Sequence, residues 1–484
     1  MDKQPLIISA ADFTEGIAES RYTGIEHIRN ADLFSEKGSM KIGYKAIADG
    51  LALTGLPIAY DIDPSSGLVY MDSGIQSTSI LKRNTDDSWT TISGFTNSTT
   101  RGIAIFKDYL FRIYQDSTAI KTDRYGPLSS SPSVSTAWVT FAASGYTASS
   151  QPVIPSIVGQ DGILYVGVMD KVRSLSDATS AGSVNTAALD LKDSGYVIQS
   201  FTELGSKLLI GAKFGDNLTS IGEIFPWDRI SSSFNLPIST GLFGVPQMIT
   251  KNNLVYAVGG LNGQLIYTNG SSVQQGRKIG DMTAEPDSVF SPYWEAMASW
   301  NSGILIGLGK SAGTDRGPSG VWFLRDGIWQ FFTVTGGDGS DGSTVEIGCV
   351  IPLNDSKFLV TWRVGSSYGI DYIDTTKKTT SYGTRLDSRL YTVGNAIDKR
   401  QFKQAQLNLG KPLSTGQGVK VSYRTDPTAS FTAIHTWDFA TLGAVSSHSD
   451  SAKIPLTDKV QIRVELTTGS SSSTTPEFLN LTFL

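Results

Sequence analysis

The side chains that most often take part in catalysis or metal binding are scarce in this sequence. Its 484 residues include one cysteine, Cys349, and three histidines, His27, His435 and His448. A single cysteine excludes an intrachain disulfide and a zinc site made of several cysteines. Cys349 lies in an apolar run and is expected to act as a small buried hydrophobe. Because the histidines are scattered over both ends of the chain, we predict neither a histidine-rich metal site nor a Ser–His–Asp triad.

Acidic residues offer two weak patterns in one glycine-rich loop, residues 336–343. Its aspartates, Asp338 and Asp341, could bind Ca²⁺, but the loop lacks the ligand spacing and the bidentate glutamate of an EF-hand. The Asp box of sialidase-like propellers, Ser-x-Asp-x-Gly-x-Thr-Trp, has its nearest match at Ser340–Thr344, without the spacing or the tryptophan. A flexible connecting loop is the favoured interpretation. The sequence therefore predicts no catalytic residue, no cofactor-binding residue and no metal site.

Charge and hydropathy exclude further classes of protein. Lys and Arg together number 40 and Asp and Glu 45, so the net charge is −5, and charged residues make up 18% of the chain. This nearly neutral composition lacks the basic signature of proteins held on nucleic acid through phosphates, and we expect no sequence-specific nucleic-acid binding. The longest apolar stretches are far shorter than the roughly 20 residues that span a bilayer, so no membrane span is expected. The first residues do not resemble a secretory signal.

Short apolar runs separated by clusters of Gly, Ser, Asn, Asp and Thr indicate an all-β chain with many short strands. A polar turn followed by an apolar strand recurs seven times, with marker residues at Leu68, Leu110, Leu164, Leu208, Leu254, Ile304 and Phe358. The markers are roughly 48 residues apart on average, which is the length of a four-stranded propeller blade. We therefore predict a β-propeller of about seven four-stranded blades over residues 51–376. A run of ordinary hairpins from an unrelated sandwich is the alternative.

Tryptophans fall where the outer strands of these blades should run, at Trp89, Trp138 and Trp329. Blades stacked around an axis bury each other's faces, and large aromatic side chains fill the outer layer, where the blades diverge. An exposed subset of the nine tryptophans could instead stack on sugars of a cell surface. Packing between blades is the favoured interpretation.

The regions that flank the predicted propeller have different patterns. Residues 377–400 have a weaker apolar pattern and are predicted to be a linker. Residues 401–484 are predicted to form a small C-terminal β-sandwich, because strands with one apolar face recur at short spacing. These strands are Phe402–Leu409, Val419–Asp426, Phe431–Ile434, Val460–Leu466 and Phe478–Leu484. Residues 1–50 are predicted to be an N-terminal arm or strand region, which either closes the propeller ring or reaches a neighbouring subunit.

Segments near both ends of the chain resemble structural proteins of tailed bacteriophages. Near the N terminus, the pattern Gly-x-x-x-x-Arg-Asn-x-Asp-Leu followed by Lys-Gly is formed by Gly24, Arg29, Asn30, Asp32, Leu33, Lys37 and Gly38. Toward the C terminus, Arg385–Tyr391, Lys399–Lys403 and Val421–Asp426 are similar to the sandwich attached to phage tail and neck components. For the propeller, the resemblance is one of architecture alone.

Within such phage families, a propeller combined with small β-domains resembles the nozzle that extends a short tail. The resemblance implies a non-enzymatic structural component of a bacteriophage virion, in the tail or neck and close to the adaptor. It implies that copies of the chain form a symmetric ring and contact other virion proteins, namely the adaptor, portal-proximal or tail components. The protein would be made in the cytoplasm of the bacterial host and reside in the virion.

Two other functions remain open from the sequence. One is a carbohydrate-binding or glycan-cleaving propeller that acts on a cell-surface polysaccharide; the other is a scaffold propeller that binds peptides. A glycosidase needs two carboxylates about 5 to 9.5 Å apart. Because they would come from different blades, sequence spacing cannot identify them. A central pocket with two close carboxylates and an exposed tryptophan would favour the enzyme over the structural component.

Overall fold

Almost all of the regular secondary structure that the computed structural model describes is β-strand. The structure describes residues 5–9, 25–29, 31–32, 40–74, 77–148, 151–191, 193–215, 221–259, 263–278, 293–309, 319–325, 328–337, 343–378, 384–388, 390–393, 399–426, 429–468 and 475–484. The helical segments within these ranges are the helix α1 (Phe439–Leu442) and two 3₁₀ turns, Ala181–Ser183 and Trp294–Ala296. None of the helices in these ranges is long and apolar enough to span a membrane.

Two compact units make up the chain. The propeller unit comprises Ala48–Val321 and Val334–Tyr372, and the terminal unit comprises Met1–Ile47, Trp322–Thr333 and Ile373–Leu484. The ranges of the terminal unit include some strands of the last two propeller sheets, which are described with those sheets. Among the described residues, five strands come before the first propeller sheet in the sequence: β1 (Leu6–Ser9), β2 (Ile25–Arg29), β3 (Ala31–Asp32), β4 (Lys41–Ile42) and β5 (Tyr44–Ala48).

Seven four-stranded sheets follow one another along the described chain. The first sheet contains β6 (Tyr60–Ile62), β7 (Val69–Asp72), β8 (Ser77–Arg83) and β9 (Trp89–Ser98). The second contains β10 (Thr100–Phe106), β11 (Tyr109–Asp116), β12 (Ala119–Gly126) and β13 (Ser133–Ala142). The third contains β14 (Ser156–Val158), β15 (Leu164–Val168), β16 (Lys171–Leu175) and β17 (Val184–Asp190). The fourth contains β18 (Tyr196–Leu204), β19 (Lys207–Phe214), β20 (Gly222–Trp227) and β21 (Ile238–Ser239).

The remaining three sheets have the same four-stranded form. The fifth contains β22 (Gln247–Lys251), β23 (Leu254–Gly259), β24 (Gln264–Thr268) and β25 (Val273–Lys278). The sixth contains β26 (Met297–Trp300), β27 (Gly303–Leu308), β28 (Gly320–Arg325) and β29 (Ile328–Phe332). The seventh contains β30 (Val345–Asn354), β31 (Lys357–Val364), β32 (Ser367–Lys378) and β5, in that order.

The second strand of each sheet carries the sequence repeat. Six marker residues lie in β11, β15, β19, β23, β27 and β31, and the seventh, Leu68, directly precedes β7. Every residue of β7, β15 and β27 is buried. A strand with a neighbour at each edge and a packed sheet on each face has no polar side, and therefore reads as an unbroken apolar run. The predicted propeller of about seven blades is confirmed, with Trp89, Trp138 and Trp329 in fourth strands as expected.

Apolar clusters fill the spaces between neighbouring sheets of the propeller unit. Tyr70 of the first sheet shares a cluster with Leu110 of the second. Another cluster joins Met71 and Leu81 of the first sheet to Cys349 of the seventh. Because each sheet buries its faces against two others, and the first packs on the seventh, the ring of sheets is closed.

The seventh sheet takes its fourth strand from the N-terminal region of the chain. β5 pairs with β32, and just after β5 the Asp49 N–H donates to the Ile370 carbonyl at 2.8 Å. The chain thus completes its last blade with a strand that precedes its first. This is the ring-closing role considered above for part of residues 1–50.

The terminal unit contains two sheets that share one core. Its C-terminal strands are β33 (Thr384–Ser388), β34 (Tyr391–Thr392), β35 (Arg400–Leu409), β36 (Gly418–Arg424), β37 (Thr432–Asp438), β38 (Ser447–Thr457), β39 (Lys459–Thr467) and β40 (Phe478–Phe483). One sheet has the order β1-β40-β35-β38, and the other β2-β33-β39-β36-β37, with β34 also on β39. A further two-stranded sheet joins β3 to β4. The core between the large sheets includes Ile8, Phe402, Val464 and Leu481.

Both ends of the chain therefore contribute to one β-sandwich. β1 is an edge strand of one sheet and β2 an edge strand of the other. The segment 377–400, which the sequence predicts to be a linker, includes β33 and β34, and both of these strands pair with β39. Their apolar signal is weak because the strands are short.

A threonine–aspartate contact recurs between consecutive sheets of the propeller unit. Asp123 in β12 accepts hydrogen bonds from the backbone N–H of Thr96 at 2.7 Å and from its hydroxyl at 2.8 Å. Asp371 in β32 accepts the same pair of bonds from Thr335, both at 2.6 Å. In each case an aspartate of a third strand holds a threonine at the end of the preceding sheet. Asp123 also pairs with Arg112, whose Nη1 lies 3.1 Å from Oδ2, and both side chains are fully buried.

Candidate functional site

A cavity of about 360 Å³ lies among the first strands of several sheets in the propeller unit. Its wall is formed by β6, β10 and β14, the first strands of the first three sheets, and by the 3₁₀ turn Trp294–Ala296 before the sixth sheet. The lining residues are Tyr60, Asp61, Ile62, Pro64, Ile103, Ala104, Ile105, Ser156, Ile157, Val158, Trp294 and Glu295. The volume falls in the range of small-molecule pockets, about 300 to 1,000 Å³.

Asp61, in the middle of β6, is one of two acidic side chains on this wall. Its Oδ1 accepts a hydrogen bond from the Ile62 N–H at 2.7 Å, and its Oδ2 accepts one from the Ile105 N–H at 2.6 Å. Since Ile105 belongs to β10, this carboxylate ties the first sheet to the second. Burial raises the pKa of Asp61 to about 6, although the two N–H donors favour the charged form, and the charge of Asp63 adds a smaller upward shift.

Glu295, in the 3₁₀ turn, is the second acidic side chain on the wall. Burial raises the pKa of Glu295 well above its ordinary value, and the charges of Asp61 and Asp72 raise it further. Within the described residues, no group donates a hydrogen bond to the Glu295 carboxylate. Glu295 therefore differs from Asp61 in having acceptor positions that the protein leaves available to a ligand.

Asp72, at the end of β7, is a third acid nearby, but its oxygens are occupied. Its Oδ1 accepts the N–H groups of Ile58 at 2.8 Å and Ala59 at 2.9 Å, and its Oδ2 accepts that of Gly74 at 3.0 Å. Burial raises the pKa of Asp72 to about 6, against these donors and the more distant Arg112, which lower it. Asp72 thus shapes the backbone that leads into β6 and does not line the cavity.

The cavity wall has no positive side chain among its described residues, since none is Lys, Arg or His. Its two hydroxyl groups are already paired: that of Tyr60 donates to the Val350 carbonyl at 3.1 Å, and that of Ser156 to the Ile103 carbonyl at 3.2 Å. The indole of Trp294 and the ring of Tyr60 supply aromatic surface. The arrangement can therefore accept hydrogen bonds from a ligand and favours a positive charge.

The residues that the sequence singles out are not gathered at this cavity. Cys349 is fully buried between the first and seventh sheets, where its Sγ lies 3.5 Å from the Pro57 carbonyl oxygen. Burial raises the pKa of the Cys349 thiol well above its ordinary value, as expected for a buried hydrophobe and not for a nucleophile. In the terminal unit, the His435 Nε2 lies 3.0 Å from Asp450, and His448 is in β38.

Several sequence patterns lie outside the described residues, and the structure does not bear on them. They include the His27 side chain and residues 338–342 of the glycine-rich loop, with most of the Asp-box-like segment. The chain also has a Gly-x-Ser-x-Gly pattern, the spacing of a nucleophile elbow, at Gly309–Gly313, and its Ser311 is likewise outside. Among the side chains that are described, no group of three or more His, Cys, Asp or Glu could hold a metal ion.

Sequence reasoning does not identify Asp61 and Glu295 as partners. One belongs to the first strand of the first sheet and the other to a turn before the sixth, so only the closed ring brings them to one cavity. A signal for Asp61 does exist, because it interrupts the apolar run Ile58–Ile62, where a charged residue is unusual.

Comparison with known proteins gives matches of fold only. No protein-family model matches the chain, and no curated protein matches it. Among solved structures, a chain of a mitotic checkpoint complex matches with a TM-score of 0.41 at 10% identity, covering 73% of this chain and 95% of that one. A chain described as a 6-phosphogluconolactonase from Bacteroides uniformis matches with a TM-score of 0.38 at 12% identity, covering 59% of this chain and 92% of that one.

Proposed function

We propose that this protein is a non-enzymatic structural component of a bacteriophage virion, part of the tail or neck and assembled with copies of itself in a ring. One observation carries the proposal. The N-terminal and C-terminal segments that resemble phage structural proteins are adjacent strands: β2 pairs with β33, with Ile28 opposite Leu386 and Arg29 opposite Arg385. Segments at opposite ends of the sequence thus belong to one sandwich, which is the part of the chain that the resemblance concerns.

The sandwich has features that suit a module that must resist mechanical force. Asp387, almost fully buried, accepts bonds from Arg463 at 2.7 and 3.0 Å and from Arg385 at 3.1 and 3.0 Å. The Arg463 guanidinium lies 3.6 Å from the centre of the Phe431 ring. β1 is hydrogen-bonded along β40, so the first and last strands of the described chain are fixed to each other. A pull on either terminus must therefore break a row of backbone bonds.

Exposed apolar side chains on the same unit are candidate contacts with neighbouring subunits or with other virion proteins. Leu456 in β38 is 61% exposed, and Ile7 in β1 is 51% exposed. Contiguous apolar patches mark surfaces that become buried on assembly, whereas single exposed apolar side chains are ordinary, so the oligomer test below decides whether these two residues lie in a contact. The propeller unit exposes Ile230 at 92%, and this residue serves as the control because the segments that resemble phage proteins lie outside the propeller unit.

The test is the mass of the purified chain in solution, followed by electron microscopy of the particles. We expect a discrete high-order oligomer with cyclic symmetry. Leu456→Glu should shift the chain toward monomer, whereas the matched variant Ile230→Glu should leave the oligomer intact. A monomer that binds or cleaves polysaccharide would contradict the proposal and favour the carbohydrate-active alternative.

That alternative has one observation in its favour, the cavity with two carboxyl groups and the half-buried Trp294. A two-carboxylate glycosidase, however, works with one acid held neutral and the other ionised, and their environments push the two pKa values apart. Burial raises the pKa of Asp61 to about 6 and that of Glu295 well above its ordinary value, so the direction of the shifts does not by itself assign one neutral and one ionised acid. Hydrolysis of a cell-surface polysaccharide that is abolished in Glu295→Gln would nevertheless establish the alternative.

A further inference from the structure

We propose that the cavity of the propeller unit binds a small organic cation, a molecule that carries a primary ammonium group. The inference goes beyond the structural role proposed above and does not depend on it. Four observations support it: the uncompensated acids on the wall, the unused acceptors of Glu295, the aromatic rings beside them, and the size of the cavity.

The acidic groups at the cavity have no positive counterpart on the wall. Asp61 and Glu295 line it, and no described lining residue is basic. The charge of Arg112 does act on Asp72, but its guanidinium is bonded to Asp123 and to Thr100 inside the second sheet. Since a buried charge without a partner is costly, a cation that enters the cavity supplies the missing partner.

The hydrogen-bonding capacity of the acids suits an ammonium group. An ammonium has three donors and no acceptor, and each carboxylate oxygen can accept two bonds. The Glu295 carboxylate receives none within the described structure. Asp61 receives one hydrogen bond at each oxygen and keeps capacity for more. Each side chain can therefore accept bonds from an ammonium without giving up bonds that hold the sheets together.

The rest of the wall fits the organic part of such a ligand. Trp294 and Tyr60 provide rings of the kind that attract cations, with Trp the strongest. Ile62, Ile103 and Ile105 provide apolar surface for methylene groups. A volume of about 360 Å³ accommodates a small molecule. A divalent metal ion fits less well, because Ca²⁺ and Mg²⁺ take about six or more oxygen ligands and the wall supplies two carboxylates.

The experiment is isothermal titration calorimetry of the full chain with 1,4-diaminobutane. Its matched control is butane-1,4-diol, which has the same carbon chain and hydroxyl groups in place of the ammonium groups. We expect the diamine to bind and the diol to give no heat at the same millimolar concentration. Equal binding of the diol or of a neutral monosaccharide would overturn the proposal, as would tighter binding of Ca²⁺ or Mg²⁺, or no binding of the diamine.

Two variants locate the site. Glu295→Gln keeps the shape of the side chain and removes its charge, and it should weaken diamine binding by about 10-fold to 100-fold, the loss typical of one charged hydrogen bond. Asp355→Asn removes a charge from an exposed turn of the propeller unit and should leave the affinity unchanged. Equal affinity of wild type and Glu295→Gln would show that the diamine binds elsewhere and would overturn the assignment.

The pH dependence of binding to the wild type provides a test that needs no variant. The groups that act on Glu295 are Asp61 and Asp72, and Tyr60 and Cys349 are also close enough to be affected by its charge. Because the acids must lose their protons to pair with a cation, diamine binding should release protons. The affinity should fall by up to about tenfold for each pH unit of acidification below the pKa of the group that binds. A diamine affinity that does not change as the pH is lowered would overturn the proposal.

Discussion

Two acidic residues of the propeller unit, Asp123 and Glu295, have opposite surroundings. Asp123 in the second sheet has Arg112 at 3.1 Å and accepts N–H bonds from Thr96 and Ala137. Glu295 at the cavity has no described hydrogen-bond donor, and the charges nearest to it are those of other acids. Asp123 is therefore compensated within the protein and holds neighbouring strands together, whereas Glu295 keeps its acceptor positions available to a ligand.

The largest change in the free energy of unfolding is expected when the carboxylate that pairs with Arg112 is removed. Asp123→Ala leaves the Arg112 guanidinium buried without its carboxylate and should lower the free energy of unfolding by about 3 to 5 kcal/mol. Urea denaturation followed by tryptophan fluorescence measures this loss. The control is Asp116→Ala, which removes a half-exposed partner of Lys121 on the same sheet and should cost less than about 1 kcal/mol. Equal losses in the two variants would mean that burial of the pair contributes nothing.

A smaller change, an increase in the free energy of unfolding, is expected when Glu295 at the cavity is replaced by glutamine. Burial raises the pKa of Glu295, so the folded state binds its proton more tightly than the unfolded state does. Stability from this group is fully present below the ordinary glutamate pKa of about 4.3 and is lost as the pH rises through the folded pKa. The Glu295→Gln variant has no titratable group at this position, so its stability does not fall for this reason as the pH rises.

The measurement is the free energy of unfolding of both proteins at acidic and at mildly alkaline pH. Relative to the wild type, the variant should gain about 1.4 kcal/mol for each unit by which the folded pKa exceeds the ordinary value. Asp61, whose pKa is raised from 3.8 to about 6, contributes a loss of the same sign in both proteins and cancels in the difference. A variant that tracks the wild type at every pH would show that Glu295 is not perturbed.

The smallest effects are expected at the recurring threonine–aspartate contacts. Thr335→Val removes the hydroxyl that donates to Asp371 and should cost about 1 kcal/mol, the typical net value of one hydrogen bond. Thr96→Val should cost less, because the same oxygen of Asp123 still accepts the Ala137 N–H at 2.8 Å. Chemical denaturation of both variants at one pH shows which of them loses more stability. The reverse order would mean that the Asp123 contact depends on its threonine in spite of its other partners.

The sequence predicted those strands whose burial on all sides produces a continuous run of apolar residues. The markers Leu110, Leu164 and Leu208 identified second strands because such strands are covered on all sides and read as apolar runs. The strand that completes the seventh sheet, β5, could not be assigned, since it precedes the first blade and carries no repeat signal. β33 was missed for a similar reason, because it is only five residues long.

The candidate site could not be predicted because its chemistry comes from the closure of the ring. Asp61 and Glu295 lie on elements of the first and sixth sheets, and neither has a neighbour in sequence that suggests a shared role. The structural role of Asp123 and Asp371 was equally hidden, since each bonds to a threonine of the preceding sheet. Local patterns predict strands, whereas contacts between sheets depend on which strands the topology brings together.

The most direct test of the account is the protonation state of Glu295 itself. Infrared difference spectroscopy of the wild type against Glu295→Gln, at about pH 6, detects the carbonyl stretch of a protonated carboxyl group, which an ordinary glutamate with a pKa of about 4.3 lacks at that pH. We expect this band in the wild type without ligand and its loss when 1,4-diaminobutane is added. A wild-type spectrum without the band would mean that Glu295 is already ionised and compensated, and would contradict the claim that the cavity acids await a cation.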